Sequence, residues 1–186
     1  MEIKKCSVKE YYQIAERGIF DNARVELIEG EIVAKPSLTP PEAVTISLTN
    51  DALQKTFGKN FVCNIRLPLR LGKFSEPEPE IYVRKGKVRD FINSHPRTAE
   101  LTVEVSEQIS DYFRNRKASL YAKFAIKEYW IVNIKDRCLE IRRCPIEDKT
   151  AFYGFRYTEI LIFTEKDEVS PLAAPEAKIK VADLLP

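Results

Sequence analysis

The sequence predicts an α/β fold in which helices flank a mixed β-sheet. Apolar runs centred near residues 103 and 131 predict two strands, and a segment with helical spacing lies between them, centred near residue 117. A strand, a helix and a strand in this order predict a right-handed βαβ unit with parallel strands. The other apolar runs are typical of antiparallel hairpins, so the sheet is expected to be mixed.

The N-terminal part is predicted to hold a helix, a hairpin and a second helix. Ser7 is followed three residues later by a glutamate, which is the capping-box pattern of a helix start. Two short strands within 24–33 flank Glu29-Gly30, a two-residue turn. Residues 42–57 carry apolar side chains close to helical spacing, and Gly58 is a natural end for that helix.

Strands dominate after residue 60. The predicted single strands are 61–65, 67–71, 80–83, 101–105, 129–133 and 138–142. Residues 153–157 and 160–163 predict a further hairpin, and 111–124 predicts the crossover helix. The tail, 171–186, carries apolar residues at 179, 181, 184 and 185 and is expected to dock on the core.

Length and composition suit one globular domain. The chain has 186 residues, 44% of them hydrophobic and 31% charged, which allows a sizeable core. We expect one domain over 1–186, with a helix and hairpin in 7–35, a central core in 42–134, and hairpins and tail in 138–186. The formal net charge of +2 does not point to nucleic acid, so a DNA-binding surface would need local clusters of basic residues.

Targeting and redox signals favour a cytoplasmic protein. Met1–Glu10 is polar, unlike a signal peptide, and no apolar run approaches the roughly 20 residues of a membrane span. The four cysteines form no C-x-x-C pair and the chain has one histidine, so a structural zinc site is not expected. Ordinary thiols in a reducing compartment are the simpler interpretation.

The predicted crossover helix carries a lysine on its apolar face. At about 100° per residue, Phe113, Leu120 and Phe124 form one stripe, and Lys117 lies in the middle of it. A buried ammonium must lose its hydration or find a partner, and losing water costs several kcal/mol. A lysine whose stem packs while its ammonium reaches solvent is the alternative.

The preceding strand offers that lysine a carboxylate. Thr102, Glu104 and Ser106 share one face of the strand, while apolar residues occupy the other. In an inner parallel strand both faces are covered, so Glu104 would need a cation. Lys117 could supply one and a metal ion another, and a purely structural Glu–Lys ion pair remains an alternative.

A second group of acids precedes the strand at 80–83. Residues 76–80 read Glu-Pro-Glu-Pro-Glu, and in an extended chain the three carboxylates point to the same side. Together with Glu104, Glu80 could bind Mg²⁺, which prefers oxygen ligands. The lysine would then orient or deprotonate a water or stabilise the pentavalent phosphorus, which is the chemistry of phosphodiester hydrolysis.

These motifs, in this order, resemble the PD-(D/E)XK nucleases, and more closely one family among them that is abundant in cyanobacteria, the domain-of-unknown-function 820 family. The resemblance covers nearly the whole chain and rests on RVELIEGE (24–31), SEPEPE (75–80), LTVEVS (101–106), RNRKASLY (114–121) and KEYWIVN (127–133). It implies a restriction-endonuclease-like fold. It also implies a Mg²⁺- or Mn²⁺-dependent endonuclease that acts on nucleic acid, DNA above all, as a homodimer.

The resemblance assigns roles to individual residues. Glu80 and Glu104 match the metal-binding acids, and Lys117 matches a lysine that has moved to the helix from its usual place, where this chain has Ser106. Tyr121 would help Lys117 to support the attacking water. Glu26 matches an acid of the family's first hairpin and is an auxiliary candidate.

A basic segment offers candidates for phosphate contacts. Lys85, Lys87 and Arg89 follow the Glu80 strand closely, and Arg114 begins the lysine motif. A charged loop of this kind is more often only solvated, so that interpretation stays open.

Three departures from the family pattern keep a second function open. Glu80 stands where an aspartate is usual, residues 39–43 lack the usual histidine, and Phe113 stands where an acid is frequent. The alternative is a catalytically degenerate member that keeps the fold and acts as a nucleic-acid or protein binding module. Lys117 and Glu104 would then form only a structural ion pair.

Overall fold

The computed structural model describes residues 4–186, so the expectation for Met1–Glu10 lies partly outside the described residues. The helices are α1 (Val8–Ala15), α2 (Pro40–Phe57) and α3 (Ala118–Lys123). The strands are β1 (Val25–Ile28), β2 (Glu31–Ala34), β3 (Phe61–Ile65), β4 (Ile81–Lys85), β5 (Leu101–Ser106), β6 (Glu128–Asn133), β7 (Cys138–Glu147), β8 (Phe155–Thr164), β9 (Glu168–Val169) and β10 (Ile179–Lys180). Within residues 4–186, no helix is both long enough and apolar enough to cross a membrane.

A six-stranded mixed sheet organises these elements. Its strands lie side by side in chain order from β3 to β8. Neighbours are antiparallel except for β5 and β6, which are parallel, with Glu104 opposite Ile131. The mixed sheet and the βαβ unit predicted from the sequence are both confirmed.

The core lies on both faces of the sheet. One face packs against α2 and the C-terminal tail, where Leu53, Trp130 and Leu184 belong to one apolar cluster. The other face packs against α3, where Leu120 and Ile131 belong to a second cluster. Every residue of β5 and of β6 is buried, as expected for inner parallel strands. The predicted docking of the tail is confirmed as well.

Residues 67–71 do not form the predicted strand. The Leu69 N–H donates instead to the carbonyl of Pro77 at 2.9 Å, so the segment folds against the chain that follows it. Pro68 has no N–H to donate, and Arg66 has a φ of 51°, outside the extended region. The apolar pattern therefore predicted burial, since Leu69 is fully buried, but not a place in the sheet.

The hairpin predicted from 153–157 and 160–163 is also wrong. Residues 155–163 lie in one continuous strand, β8, which pairs along its length with β7. The turn lies earlier, between Glu147 and Phe155, and Gly154 adopts a φ of 80° there. No glycine or proline interrupts β8. The polar residues between 157 and 160 therefore belong to the alternation of polar and apolar side chains along a strand, and they do not form a turn.

The β1–β2 hairpin brings its strands together through a two-residue turn. Glu29 and Gly30 have φ values of 50° and 89°, the pair of positive angles that matches strand twist. A Cβ at Gly30 would lie 2.6 Å from Cβ of Lys5 and 3.0 Å from its Cα. The turn therefore depends on glycine both for its backbone angle and for its contact with the N-terminal segment.

Gly30→Ala is expected to lower the free energy of unfolding by about 1–3 kcal/mol, because it adds a steric clash to the strain of a positive φ. Urea denaturation measures the loss. Gly154→Ala is the matched control, since its φ is 80° but no atom lies within 4 Å of the added Cβ. An equal loss in the two variants would contradict the packing argument at Gly30.

Candidate active site

A cavity of about 490 Å³ brings together four of the five predicted catalytic residues. Its wall includes Glu26 of β1, Lys35 after β2, Glu80 before β4, Glu104 of β5 and Lys117 before α3. Five glutamates and two lysines line it, so its lining carries an excess of negative charge. Such a cavity attracts cations.

Lys117 lies at the junction of the crossover helix. The predicted helix is present, but Tyr112–Lys117 forms a π-helical turn that leads into α3. The Lys117 side chain is 1% exposed, and its Nζ donates to Glu26 Oε2 at 2.7 Å and to Glu104 Oε1 at 2.9 Å. Because the ammonium is buried between two carboxylates, it does not reach solvent. The prediction of a buried, paired Lys117 is confirmed.

Glu104 is held from one side only. Its Oε1 accepts hydrogen bonds from Lys117 Nζ and, at 2.8 Å, from the hydroxyl of Tyr121. Burial raises the pKa of Tyr121 well above its ordinary value, so its hydroxyl remains a donor. Among residues 4–186, Oε2 of Glu104 accepts no hydrogen bond. One oxygen is thus fixed and the other is available.

Glu26 is held by three donors from two segments, the π-helical turn and the acidic segment. Its Oε2 accepts from Lys117 Nζ and, at 3.0 Å, from the backbone N–H of Glu78, while its Oε1 accepts from the Tyr112 hydroxyl at 2.9 Å. The antiparallel bridge between Leu27 and Glu76 docks the acidic segment along β1 and so positions the Glu78 N–H. Glu26 therefore anchors the lysine.

Glu80 faces two cations. Lys35 Nζ lies 3.1 Å from Oε1, and Arg66 Nε lies 3.0 Å from Oε2. Both contacts are ion pairs without a hydrogen bond, and Glu80 Oε2 and Arg66 Nε are buried with no hydrogen-bond partner among the described residues. Glu80 thus has charge compensation but an unsatisfied oxygen.

The protonation states follow from burial and neighbouring charge. Burial opposes the charge of Lys117, but the carboxylates of Glu104 and Glu26 outweigh it and raise the Lys117 pKa. Burial also favours neutral Glu26, yet the charges of Lys117 and Lys35 and the hydrogen bonds from Lys117 and the Glu78 N–H hold its pKa below the ordinary value. At Glu104 burial outweighs the same two lysines, and the pKa is raised. Glu26 is therefore the firmly ionised partner, and Glu104 takes up a proton more readily.

The other candidates from the sequence lie outside the cavity lining. Lys85, Lys87 and Arg89 are exposed at the end of β4 and in the turn that follows. Arg114 is bound to the buried Glu140, with Nε 3.0 Å from Oε1. The other two acids of the 76–80 segment have partners of their own, since Glu76 accepts from the Tyr12 hydroxyl and Glu78 pairs with Arg24 at 2.9 Å.

Three site residues were missed by the sequence analysis: Lys35, Arg66 and Tyr112. Hairpin register was a usable signal for one of them. Glu26 lies opposite Val33, so Lys35, two residues further, lies on the same face as Glu26. No comparable local pattern marks Arg66 or Tyr112, whose contacts form only when distant segments meet.

Comparison with known proteins agrees with this architecture. The model of the Uma2 family, described as "Putative restriction endonuclease", matches residues 8–182. The chain also resembles the crystal structure of a putative nuclease belonging to DUF820 from Anabaena variabilis ATCC 29413. The TM-score is 0.68 at 17% identity, over 87% of this chain and 89% of that one. No curated protein matches the chain. The predicted fold class and the predicted family resemblance are both confirmed.

Lys117→Met is expected to lower the free energy of unfolding by about 3–5 kcal/mol at pH 8, because Glu26 and Glu104 would be left as buried carboxylates without a cation. Both pKa values would then lie above the unfolded value near 4.5, so the variant gains stability as pH falls from 8 toward 5. In the wild type only Glu104 has a raised pKa, so the gain on acidification is smaller, and the lowered pKa of Glu26 contributes stability that is lost as pH falls below about 4.5. The difference in free energy of unfolding between the wild type and Lys117→Met should decrease as the pH falls.

Urea denaturation at several pH values between 5 and 8 measures this gap. Lys123→Met is the matched control on the same helix, because Lys123 pairs with Glu29 at 2.8 Å but its side chain is 31% exposed. Lys123→Met should lower the free energy of unfolding by no more than about 1 kcal/mol. The buried ion pairs of Lys117 with Glu26 and Glu104 would be refuted if Lys117→Met lost as little free energy of unfolding as the control. They would also be refuted if the difference from the wild type increased as the pH falls.

Proposed function

The chain belongs to the Uma2 family, and from that premise we propose that it is a Mg²⁺- or Mn²⁺-dependent endonuclease that hydrolyses phosphodiester bonds of DNA. The observation that carries the proposal is the buried Lys117 ammonium, which Glu104 and Glu26 share at the wall of a cavity that Glu80 also lines. Two carboxylates and a charged lysine facing one cavity are the groups that metal-dependent phosphodiester hydrolysis requires. Since cutting both strands of a duplex often uses two sites, we propose that the protein acts as a homodimer.

The donor set fits a hard divalent cation. Glu80 offers a buried Oε2 without a hydrogen bond, and Glu104 offers its second oxygen. Within residues 4–186, no three side chains among His, Cys, Asp and Glu converge tightly enough to form a complete metal cage. Mg²⁺ commonly binds through one or two carboxylates and takes its other ligands from water and substrate phosphate. Glu80 and Glu104 would therefore hold the ion in this protein.

The protein's own groups divide the work of the reaction. When bound, the cation would polarise a phosphoryl oxygen and help to activate a water. Lys117 stays an ammonium, so it donates hydrogen bonds and stabilises negative charge that develops on the phosphate. Glu26 keeps the ammonium aimed into the cavity, and Tyr121 keeps Glu104 oriented. Glu104 would hold the ion through Oε2, because its Oε1 is already bound by Lys117 and Tyr121.

One observation favours a second candidate function. Glu80 already has Lys35 and Arg66 beside it, so its charge is compensated without any added ion. That arrangement suits a protein that keeps the nuclease fold but binds nucleic acid or protein without cutting. The two functions differ in whether a divalent metal produces cleavage.

Nicking of a supercoiled plasmid with Mg²⁺ or Mn²⁺ tests the nuclease directly. Glu104→Gln and Lys117→Ala should each reduce the nicking rate by about 100- to 1000-fold, because each removes a group that acts on the reacting phosphate. Glu176→Gln is the control, since Glu176 is exposed and outside the cavity. Folding of each variant is verified by circular dichroism. Equal nicking by all four proteins would exclude the assignment, and no metal-dependent nicking by the wild type would favour the binding module.

Salt dependence tests the proposed phosphate contacts of Lys85, Lys87 and Arg89. Replacing all three by Gln should weaken DNA binding and flatten the plot of log K against log salt, by up to about 0.9 for each phosphate that is no longer neutralised. The control replaces three exposed lysines elsewhere, Lys149, Lys166 and Lys180, by Gln. If both triple variants change the slope equally, the basic segment is a solvated loop and does not bind DNA.

A further inference from the structure

Lys35 is the cavity residue that the nuclease chemistry leaves without a role. It follows β2, and its backbone N–H donates to the carbonyl of Arg24 at 2.8 Å, which extends the hairpin by one pair. Its side chain is 9% exposed, with Nζ in an ion pair 3.1 Å from Glu80 Oε1 and in a hydrogen bond to the carbonyl of Glu78. The ammonium therefore lies on the same carboxylate that would hold a divalent cation.

The charges of this cluster balance without any ion. Its carboxylates are Glu26, Glu80 and Glu104, and its cations are Lys35, Arg66 and Lys117. A divalent cation that entered this neutral cluster would meet repulsion from the resident cations. In a buried site, a unit charge a few ångströms away is not screened as it would be at the surface. One resident cation must therefore move before a divalent cation binds tightly.

Lys35 is the cation that an ion entering the cavity would meet at Glu80. Lys117 is 1% exposed and hydrogen-bonded to two carboxylates, so its departure would strand both. Arg66 lies beside the other oxygen of Glu80 but is not part of the cavity lining. The Lys35 ammonium contacts one Glu80 oxygen and the Glu78 carbonyl, it lines the cavity, and its long stem can turn away.

We propose that the Lys35 ammonium occupies the divalent-cation position at Glu80 and leaves it when the cation binds. Lys35 then sets the affinity of the site for metal, and it satisfies Glu80 in the metal-free protein. The inference rests on the metal site of the proposed function, but it concerns binding and not cleavage.

Direct titration with Mn²⁺ tests the competition. Electron paramagnetic resonance of free Mn²⁺ gives the dissociation constant for the wild type, Lys35→Gln, Lys35→Arg and Lys59→Gln. Lys35→Gln should bind Mn²⁺ about 10- to 100-fold more tightly, because the competing charge is gone. Lys35→Arg keeps the charge, and Lys59→Gln removes an exposed charge outside the cavity. Both should stay close to wild type.

The wild-type protein provides a second measurement that needs no variant. An amine-reactive label read by peptide mass spectrometry should modify Lys35 several-fold faster with saturating Mg²⁺ than without it, while Lys117 labelling stays unchanged. Unchanged Lys35 labelling would overturn the proposal. The proposal would also be overturned if Lys35→Gln bound Mn²⁺ no more tightly than the wild type, or if neither protein bound Mn²⁺.

These outcomes are separable from the nuclease assignment. Tighter Mn²⁺ binding by Lys35→Gln without plasmid nicking would keep the competition and reject the nuclease. Normal metal-dependent nicking together with an unchanged Mn²⁺ dissociation constant in Lys35→Gln would keep the nuclease and reject the competition.

Discussion

The buried ammonium of Lys117 is the interaction on which the rest of the site depends. It joins Glu26 and Glu104, which lie 91 and 13 residues away in the chain, so it connects the first hairpin, the central strand and the crossover helix. Removing an ammonium and two carboxylates from water costs several kcal/mol per ion unless the geometry satisfies them. The three elements must therefore dock together, and the acidic segment at 76–80 docks with them through the Glu78 N–H.

The sheet makes this burial feasible. Because β5 and β6 are parallel neighbours in the middle of the sheet, their crossover helix has to lie over one face, and the other face is covered by α2 and the tail. Glu104 thus emerges beneath the helix and not toward solvent. The π-helical turn before α3 brings Lys117 to it, and turns of this kind occur frequently at functional sites. A site of charges is thereby built largely on regular elements, with Lys35, Arg66 and Glu80 contributed by residues next to strands.

The sequence predicted those parts of the site whose signal is periodic. Helical spacing placed Lys117 on the apolar face, and strand alternation placed Glu104 opposite the apolar side chains, and both positions hold in the structure. Glu80 depended on family resemblance, and its role remains a proposal. Lys35 and Arg66 were missed. The register of the first hairpin places Lys35 on the face of Glu26, but no local pattern indicates that Lys35 or Arg66 meets Glu80, which lies 45 and 14 positions away. The same limit explains residues 67–71, since an apolar segment can be buried without joining the sheet.

The two halves of the charge cluster are held in different ways, and the difference bears on how the site can work. Around Lys117, every contact is a hydrogen bond, and one comes from the backbone, so that half is positioned by the fold itself. Around Glu80, the partners are two long side chains, and neither contact is a hydrogen bond. The long side chains beside Glu80 can move with little loss of packing. Lys117 cannot move without breaking its hydrogen bonds to Glu26 and Glu104. In the proposed site, the rigid half would orient charge, and the half around Glu80 would exchange its counter-ion, so that the site is satisfied without a metal and can still accept one.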